Sequence, residues 1–348
     1  MKTLKSVLII QNGGFGDHVL ATALVETIKA HRPDVAIDVL IGKGNESIFE
    51  GDPQVRSMFV WDKKQGKYRN LFRLAREVRA QHYDLVLNLH RFLNLGLLTL
   101  YSGAGVTVGF DKSPVSRFFT RRVQHASLKD DGTVLHETER NHRLVDWFIP
   151  GPPAKPRLYP SKADFDLVAG YKNGPFICIG VAASRFTNTL PEAQWSDLIR
   201  RIPQNFTVYL LGAGPDIPRC DRIAHGSGHG HVVNLAGRLS LVQSAALMKD
   251  AVMNYTCDSS ALHLASAMNA PVASVYLSTT TANGFGPLSD VRTIVETKMP
   301  LDCRPCTYKG KPACPQKHFN CAKTITTDQL LEPLRHAMAL VLIFAFIA

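Results

Sequence analysis

The sequence predicts an α/β protein built from two similar, doubly wound halves. Strand-like apolar runs alternate with helical apolar periodicity along the first half. A Pro- and Gly-rich stretch at 149–160 interrupts this alternation, which then restarts. Because one core rarely serves more than about 250–300 residues, the 348 residues are expected to form two domains. We place them at 1–155 and 156–348.

The first half opens with a buried strand, then a glycine-containing loop, then a helix. In that helix apolar residues recur at helical spacing from Val19 to Ile28, and Pro33 ends it. The alternation of strands with helices is typical of a parallel, doubly wound sheet. The expected strands are 6–10, 36–41, 55–61 and 84–89, and the expected helices are 17–31 and 68–82.

The second half repeats this pattern after the linker. Ligands in such folds bind at the carboxyl ends of the strands, so we expect a site in a cleft between the two halves. The expected strands are 176–181, 207–211, 251–255 and 272–277, the expected helices are 191–202, 241–249 and 260–268, and a loop is expected at 234–237.

The chain is basic, with a formal net charge of +11, and the excess lies mainly before residue 160. The densest stretch is 63–79, where a basic helix is expected. Such a stretch suits a nucleic acid, a phosphorylated glycolipid or a membrane surface as partner, or it is only a solvated helix face. No nucleic-acid-binding role is expected, because the cations lack interleaved aromatic residues and a known reading motif.

Targeting signals are not evident in the sequence. The apolar run 7–10 is too short for a signal peptide, and no run reaches the roughly 18–20 apolar residues of a membrane span. We therefore expect a cytoplasmic protein in which disulfides are not formed. The last eleven residues, 338–348, are strongly apolar but too short to span, and they suit either a buried final helix or a weak membrane contact.

Two glycine loops partly match the dinucleotide-binding fingerprint. Gly14 and Gly16 begin it, but Val19 stands at the third glycine, and the loop at Gly212 also lacks the third. An NAD-dependent oxidoreductase therefore remains an alternative. The free N–H groups of the first loop suit an anion. Asp17, at the start of the helix, is either a helix cap or a carboxylate that accepts a proton from a hydroxyl.

Several motifs occur in a definite order along the chain. They are Gly13–Asp17, the segments 180–195, 234–241 and 257–267, Gly286-Pro287, and the cysteine cluster at 303–321. Each motif alone is loose, but their order and spacing are fairly specific. Together they resemble glycosyltransferase family 9, the ADP-heptose:lipopolysaccharide heptosyltransferases, and the resemblance extends over nearly the whole chain.

The resemblance implies a GT-B fold, in which two Rossmann-like domains face each other across a cleft. The first domain would hold a lipopolysaccharide core acceptor and the second a nucleotide sugar, ADP-heptose. The family inverts the anomeric centre and needs neither metal nor cofactor. Asp17 matches its proposed catalytic base, on the loop of Gly14 and Gly16. Two alternatives remain: a transferase of the same fold that uses another nucleotide sugar, and a non-catalytic relative that binds a nucleotide or a sugar.

The donor site is expected in the second half. Ser259 and Ser260 open a helix, so their N–H groups and the helix dipole face an anion such as the diphosphate leaving group. The resemblance assigns Asp258 to the sugar hydroxyls. The segment 258–260 can equally be an ordinary cap. Further donor residues are expected in the loop after the strand 176–181, with Ser184 and Thr187 as hydroxyl donors, and His263 lies one turn inside the helix, where packing is expected.

The sequence departs from the family pattern at one place. Where the family often has Lys-x-Trp-Pro, with the Lys on the phosphate, this chain has Asn188-Thr189-Leu190-Pro191. We expect Arg185, three residues earlier, to supply the missing charge. The loss of the Lys leaves the donor in question and motivates the non-catalytic alternative.

Four cysteines lie within 19 residues near the end of the chain. The first pair has the spacing of a metal knuckle, but the second pair is wider than in a typical zinc ribbon. This pattern is compatible with a structural zinc or iron–sulfur site. It is equally compatible with a loop of reduced thiols or with a redox-sensitive pair of cysteines. The four are Cys303, Cys306, Cys314 and Cys321.

Overall fold

The chain forms two compact units, divided between Tyr159 and Pro160 inside the Pro-rich stretch. The computed structural model describes residues 4–347, and for residues 340–347 only the backbone. The apolar end, 338–348, belongs to the final helix as far as Ile347, and most of its side chains lie outside the described residues. Within residues 4–347, no helix is long and apolar enough to cross a membrane.

The first unit is one parallel sheet with helices. Its elements are β1 (Ser6–Ile10), α1 (Phe15–His31), β2 (Ala36–Gly42), β3 (Val55–Trp61), α2 (Lys67–Ala80), β4 (Leu85–Asn88), α3 (Leu93–Tyr101), β5 (Val106–Phe110), β6 (Arg121–Val123) and α4 (Glu137–His142).

The second unit repeats this plan with more helices. Its elements are α5 (Lys162–Ala169), β7 (Phe176–Gly180), α6 (Glu192–Arg200), β8 (Thr207–Leu211), α7 (Ile217–Ser227), β9 (Val232–Asn234), α8 (Leu241–Met248), β10 (Met253–Cys257), α9 (Ser260–Ala267), β11 (Val272–Tyr276), β12 (Arg292–Glu296), α10 (Asn320–Lys323) and α11 (Thr327–Ile347).

The two sheets have the same topology. The first runs β3-β2-β1-β4-β5-β6 and the second β12-β11-β10-β7-β8-β9, and all pairs of neighbouring strands are parallel. Counted within each unit, both are the Rossmann order 3-2-1-4-5-6. The order reverses between β1 and β4 in the first unit and between β7 and β10 in the second. In sheets of this kind ligands bind at those switch points, outside the carboxyl ends of the strands.

The central strands form because they are apolar on both faces. β7, with the sequence FICIG, is buried at all five positions, and β1 is buried from Val7 to Ile10. Continuous apolar runs of this kind are typical of parallel strands covered by helices on both sides. The expected strand at 251–255 instead occupies Met253–Cys257. This shift matters for function, because it ends the strand one residue before Asp258.

Candidate functional site

Asp17 lies in the first turn of α1, directly beyond the switch point of the first sheet. Gly14 is the N-cap of that helix, and the backbone N–H of Gly14 donates a hydrogen bond to Oδ2 of Asp17 at 2.7 Å. The side chain therefore caps the helix from its third position, as in a capping box. Oδ1 of Asp17 forms no hydrogen bond with any residue in the described part of the chain. One oxygen thus holds the helix while the other remains able to accept a proton.

The loop before α1 needs a glycine next to this carboxylate. A Cβ on Gly13 would lie 2.2 Å from Oδ2 of Asp17, which is a clash, whereas a Cβ on Gly14 would lie 3.6 Å away, an ordinary contact. Gly16 is the second residue of the helix. The expected glycine loop is therefore present, and Gly13 is the glycine that lets the backbone approach Asp17.

Polar side chains that follow β1 and β4 hold this loop. Oε1 of Gln11 accepts hydrogen bonds from the N–H groups of Asn12 and Gly13, at 2.8 and 3.0 Å. Nε2 of His90, two residues after β4, lies 2.7 Å from the backbone nitrogen of Asn12 and 2.6 Å from Oε1 of Gln11. Burial, and then the charge of Lys63, lowers the pKa of His90 to about 4. This imidazole is therefore neutral at physiological pH.

The charge of Asp17 affects the pKa of a second carboxyl group, that of Glu137. The pKa of Glu137, on α4, is raised to about 7, chiefly by burial; the paired Arg140 opposes this rise, and the charge of Asp17 contributes to it. The Glu137 side chain is only 14% exposed. A carboxyl group with a pKa near neutrality beside a candidate base is typical of acid–base sites, although structural ion pairs also shift pKa values.

In the second unit, two predicted pieces of the donor site lie side by side. The end of β7 and the start of α9 approach so closely that a Cβ on Gly180 would lie 2.8 Å from Cβ of Ala261. Ser259 is the N-cap of α9, in extended backbone conformation. Its Oγ is buried and has no hydrogen-bond partner among the described residues. The helix N-terminus thus offers N–H groups and a free hydroxyl at one point.

Asp258 is the carboxylate of this half of the site. Its Oδ2 accepts a hydrogen bond from Oγ1 of Thr279 at 2.7 Å and one from Nδ2 of Asn188 at 3.4 Å. Burial raises the pKa of Asp258, and the hydrogen bond from Thr279 opposes that rise. The group that Asn188 presents to this carboxylate is thus a neutral amide and not a cation.

Thr187 connects the loop after β7 to the cysteine-containing segment. It is 1% exposed, and its Oγ1 accepts a hydrogen bond from the N–H of Lys311 at 2.7 Å. The same oxygen lies 2.8 Å from Oγ of Ser278. A Cβ on Gly310 would lie 2.4 Å from Oδ1 of Asn188, and its φ is +78°. The Thr187 hydroxyl is thus engaged by the protein itself, where the sequence suggests a donor to phosphate.

The remaining predicted donor residues differ in exposure. Ser184 and Arg185 are exposed, and the Arg185 guanidinium has no hydrogen bond or ion pair with the residues that the structure describes. This leaves the cation available to a ligand. His263 is 6% exposed and packs against the ring of Phe285, with centroids 6.3 Å apart. This environment is that of a packed histidine.

The four clustered cysteines are free thiols. Sγ of Cys303 lies 3.9 Å from Nε2 of His318. Burial and the neighbouring cysteines raise the pKa of Cys321 to about 11, so this thiol stays protonated. Across residues 4–347, no three His, Cys, Asp or Glu side chains are arranged to hold a metal ion. The structure therefore gives the metal-site interpretation no support.

Sequence reasoning missed several residues of both halves. Gln11, His90 and Glu137 became visible only through burial and long-range contacts, and no spacing pattern marks them. Thr279 is the first of three consecutive threonines, 279–281, and nothing in this run itself indicates a contact with Asp258. Asn188 is marked in the sequence only as a departure from the Lys-x-Trp-Pro pattern, which does not indicate its hydrogen bond to Asp258.

Comparison with known proteins agrees with this fold. The model of glycosyltransferase family 9 (heptosyltransferase) matches residues 71–316. Lipopolysaccharide heptosyltransferase 3 of Escherichia coli (strain K12) is 26% identical over 280 residues, covering 75% of this chain and 79% of that protein.

Two solved structures resemble this chain over nearly its whole length. A glycosyltransferase of family 9 from Veillonella parvula has a TM-score of 0.83 at 16% identity, over 97% of this chain and 99% of that one. ADP-heptose lipopolysaccharide heptosyltransferase II of E. coli has a TM-score of 0.77 at 18% identity, over 96% and 98%. The predicted α/β GT-B fold is confirmed.

Proposed function

Because the chain belongs to glycosyltransferase family 9 and is a glycosyltransferase, we propose that it transfers heptose from ADP-heptose to a lipopolysaccharide core acceptor. The observation that carries the proposal is the pair of sites at the two switch points. One presents a carboxylate with an unengaged oxygen, and the other presents a helix N-terminus beside a buried carboxylate.

The first unit would bind the acceptor. Oδ1 of Asp17 would accept the proton of an acceptor hydroxyl as that oxygen attacks the anomeric carbon. The bond between the anomeric carbon and the diphosphate breaks as the new one forms, so the anomeric configuration inverts. Oδ2 stays on the N–H of Gly14, which keeps the carboxylate oriented during the transfer.

The second unit would bind the nucleotide sugar. The diphosphate leaving group gains negative charge as the bond breaks, and the N-terminus of α9 with the Ser259 hydroxyl would stabilise that charge. Arg185 would add the cation that the missing Lys supplies elsewhere in the family. Asp258 would accept hydrogen bonds from the sugar. Because these groups would stabilise the negative charge of the diphosphate, we propose a transfer that requires no metal.

Asn188 favours a second candidate, a relative that binds a nucleotide sugar without transferring it. Its amide is held by Asp258, Lys309 and Ser278, so no cation occupies this position. A same-fold transferase with another nucleotide sugar is the third candidate. Activity therefore depends on whether Arg185 replaces the charge.

We place the enzyme in the cytoplasm, at the inner face of the inner membrane where its acceptor would be. The basic helix α2 with Arg117, Arg121 and Arg122 would meet the phosphates of the acceptor core. Raising the salt concentration should therefore weaken glycolipid binding.

A thermal-shift panel with ADP, UDP, GDP, CMP and NAD tests the donor. A ligand at about 100 times its dissociation constant stabilises the native state by about 2.7 kcal/mol. Stabilisation by ADP alone is expected. Thermal stabilisation by UDP or GDP instead would indicate a different nucleotide sugar as donor and leave the proposed mechanism unchanged. Stabilisation by NAD only would contradict the proposal.

A further inference from the structure

An exposed apolar surface covers two neighbouring helices of the first unit. We call it the α2–α3 face and define it by Tyr68, Phe72, Leu93, Leu97 and Tyr101. These side chains are between 41% and 73% exposed. Single exposed apolar residues are ordinary on soluble proteins, but a contiguous set of this size marks an interaction surface.

The face borders a groove rather than a flat surface. The groove has a volume of about 1070 Å³, and its lining includes Asn12 and Lys63 as well as the five residues of the face. Trp61 and Leu98, which also line it, are buried, whereas the residues of the face are exposed. Leu74, Ala75 and Val78 already fill the inner side of α2. The outer apolar residues are therefore not needed for the core.

Cations surround this apolar surface. The stretch 63–79 holds seven Lys and Arg residues and a single carboxylate, Glu77. Glu77 pairs with Arg73, and Arg69 and Arg76 form no ion pair with any described residue. The local charge is thus left for an anionic partner, because the protein neutralises little of it.

Two of these cations lie over aromatic rings of the face. Nζ of Lys67 is 5.2 Å from the ring centre of Tyr68, and Cζ of Arg79 is 5.1 Å from that of Tyr101. Arg79 also donates to the carbonyl oxygen of Tyr101 at 2.8 Å. Apolar bodies with charged ends at the same level are typical of surfaces that lie in the headgroup region of a membrane.

The surface continues onto the segment after β5. A Cβ on Gly96 would lie 2.5 Å from Cγ2 of Val115, so this segment packs directly on α3. Next to it Phe118 is 59% exposed, with the Arg117 guanidinium 4.7 Å from its ring centre. A second exposed aromatic residue with its own cation thus extends the pattern beyond α2.

We propose that the α2–α3 face docks on the surface of an anionic phospholipid bilayer. The aromatic and leucine side chains enter the interfacial layer, and the cations contact lipid phosphates. The groove reaches Asn12, and Lys63 donates to the carbonyl oxygen of Asn12 at 3.0 Å, so docking brings the loop before Asp17 close to the membrane. The benefit to catalysis rests on the proposed function, because it supposes an acceptor with a lipid anchor.

Vesicle sedimentation of the full chain tests the docking without any sugar substrate. We expect binding to vesicles that contain phosphatidylglycerol, weak binding to phosphatidylcholine alone, and release by salt. The double variant F72S/L97S should bind on the order of tenfold more weakly. R69Q/R76Q should lose about fivefold per cation. Leu167→Ser is the matched control, because Leu167 is a half-exposed leucine on a helix of the other unit.

The outcomes separate this inference from the proposed function. Equal binding by F72S/L97S, Leu167→Ser and the wild type would overturn the docking. Binding of monomeric dodecyl phosphate without vesicle binding, or a dimer in solution that F72S/L97S abolishes, would assign the face to another occupant and also overturn it. If vesicles bind as expected but no sugar is transferred, the proposed function fails and the docking stands.

Discussion

Replacing Glu137 with Gln should remove most of the pH dependence of stability that this residue brings to the first unit. In the folded protein the pKa of Glu137 is raised from 4.5 to about 7, because the effect of burial, with a contribution from the charge of Asp17, exceeds the opposing effect of Arg140. The folded state therefore binds this proton more tightly than the unfolded state does. The stabilisation is fully present below pH 4.5 and is lost as the pH rises through 7.

The size of the effect follows from the shift. A difference of one pKa unit corresponds to about 1.4 kcal/mol, so the wild type should lose about 3 kcal/mol of unfolding free energy between pH 4.5 and pH 8 relative to Glu137→Gln. Urea unfolding followed by tryptophan fluorescence at several pH values measures this difference. Trp61 and Trp147 report on the first unit.

Glu139 provides a matched control on the same helix. Lys129, 2.5 Å away, and the N–H of His136 lower its pKa against the effect of burial. Glu139→Gln should therefore change stability by a constant amount between pH 5 and 8. Parallel pH profiles for the wild type and Glu137→Gln would refute the buried, protonated state of Glu137.

Substitutions at three further positions test the two halves of the site. Gly13→Ala should place a Cβ in the Asp17 carboxylate, 2.2 Å from Oδ2, and steady-state kinetics should show kcat lowered on the order of 10²-fold with donor KM little changed. Arg185→Ala should raise the donor KM roughly tenfold or more, because a charged hydrogen bond is lost, and Arg185→Lys should restore part of it. An unchanged donor KM would remove Arg185 from the site. Thr279→Val should leave the buried Asp258 without its 2.7 Å donor, and calorimetry should show both weaker ADP-sugar binding and a loss of about 1–3 kcal/mol in stability.

Much of the central sheet could be predicted from the sequence. The strands at Ser6–Ile10, Phe176–Gly180 and Thr207–Leu211 occur where the apolar runs predict them. Strands buried on both faces are nearly continuous apolar runs, so burial and local pattern coincide there. The helix at Ser260–Ala267 was equally predictable from its capping segment and its apolar spacing.

Other elements have no apolar run or helical spacing in the sequence that would predict them. The strand β6, Arg121–Val123, has three residues and lies at a sheet edge, where pairing with β5 and not burial defines it. α3, Leu93–Tyr101, is apolar on nearly all sides, so helical periodicity does not mark it. α7 begins at Ile217 with a proline in its first turn, after a glycine turn that reads as a loop end. These elements depend on their neighbours in the fold.

Some residues of the candidate site could likewise be predicted from the sequence, and others could not. Asp17 and Asp258 could be predicted as candidates because Asp17 follows a glycine-containing loop after β1 and Asp258 precedes two serines directly after β10. The raised pKa of Glu137 could not, because it arises from burial between elements far apart in sequence. The hydrogen bonds of Asn188 to Asp258 and to the 307–311 loop likewise join segments separated by 70 and 121 residues.

The most direct test of the central claim is turnover of ADP-heptose by the wild type and by Asp17→Asn, with ADP-induced thermal stabilisation measured on both proteins. We expect the wild type to transfer heptose to a core acceptor. Asp17→Asn should lose on the order of 10²–10⁴-fold in turnover and keep the ADP shift, because ADP is proposed to bind the other unit. Undiminished turnover by Asp17→Asn, or binding of ADP by a wild type that transfers no sugar, would contradict the account.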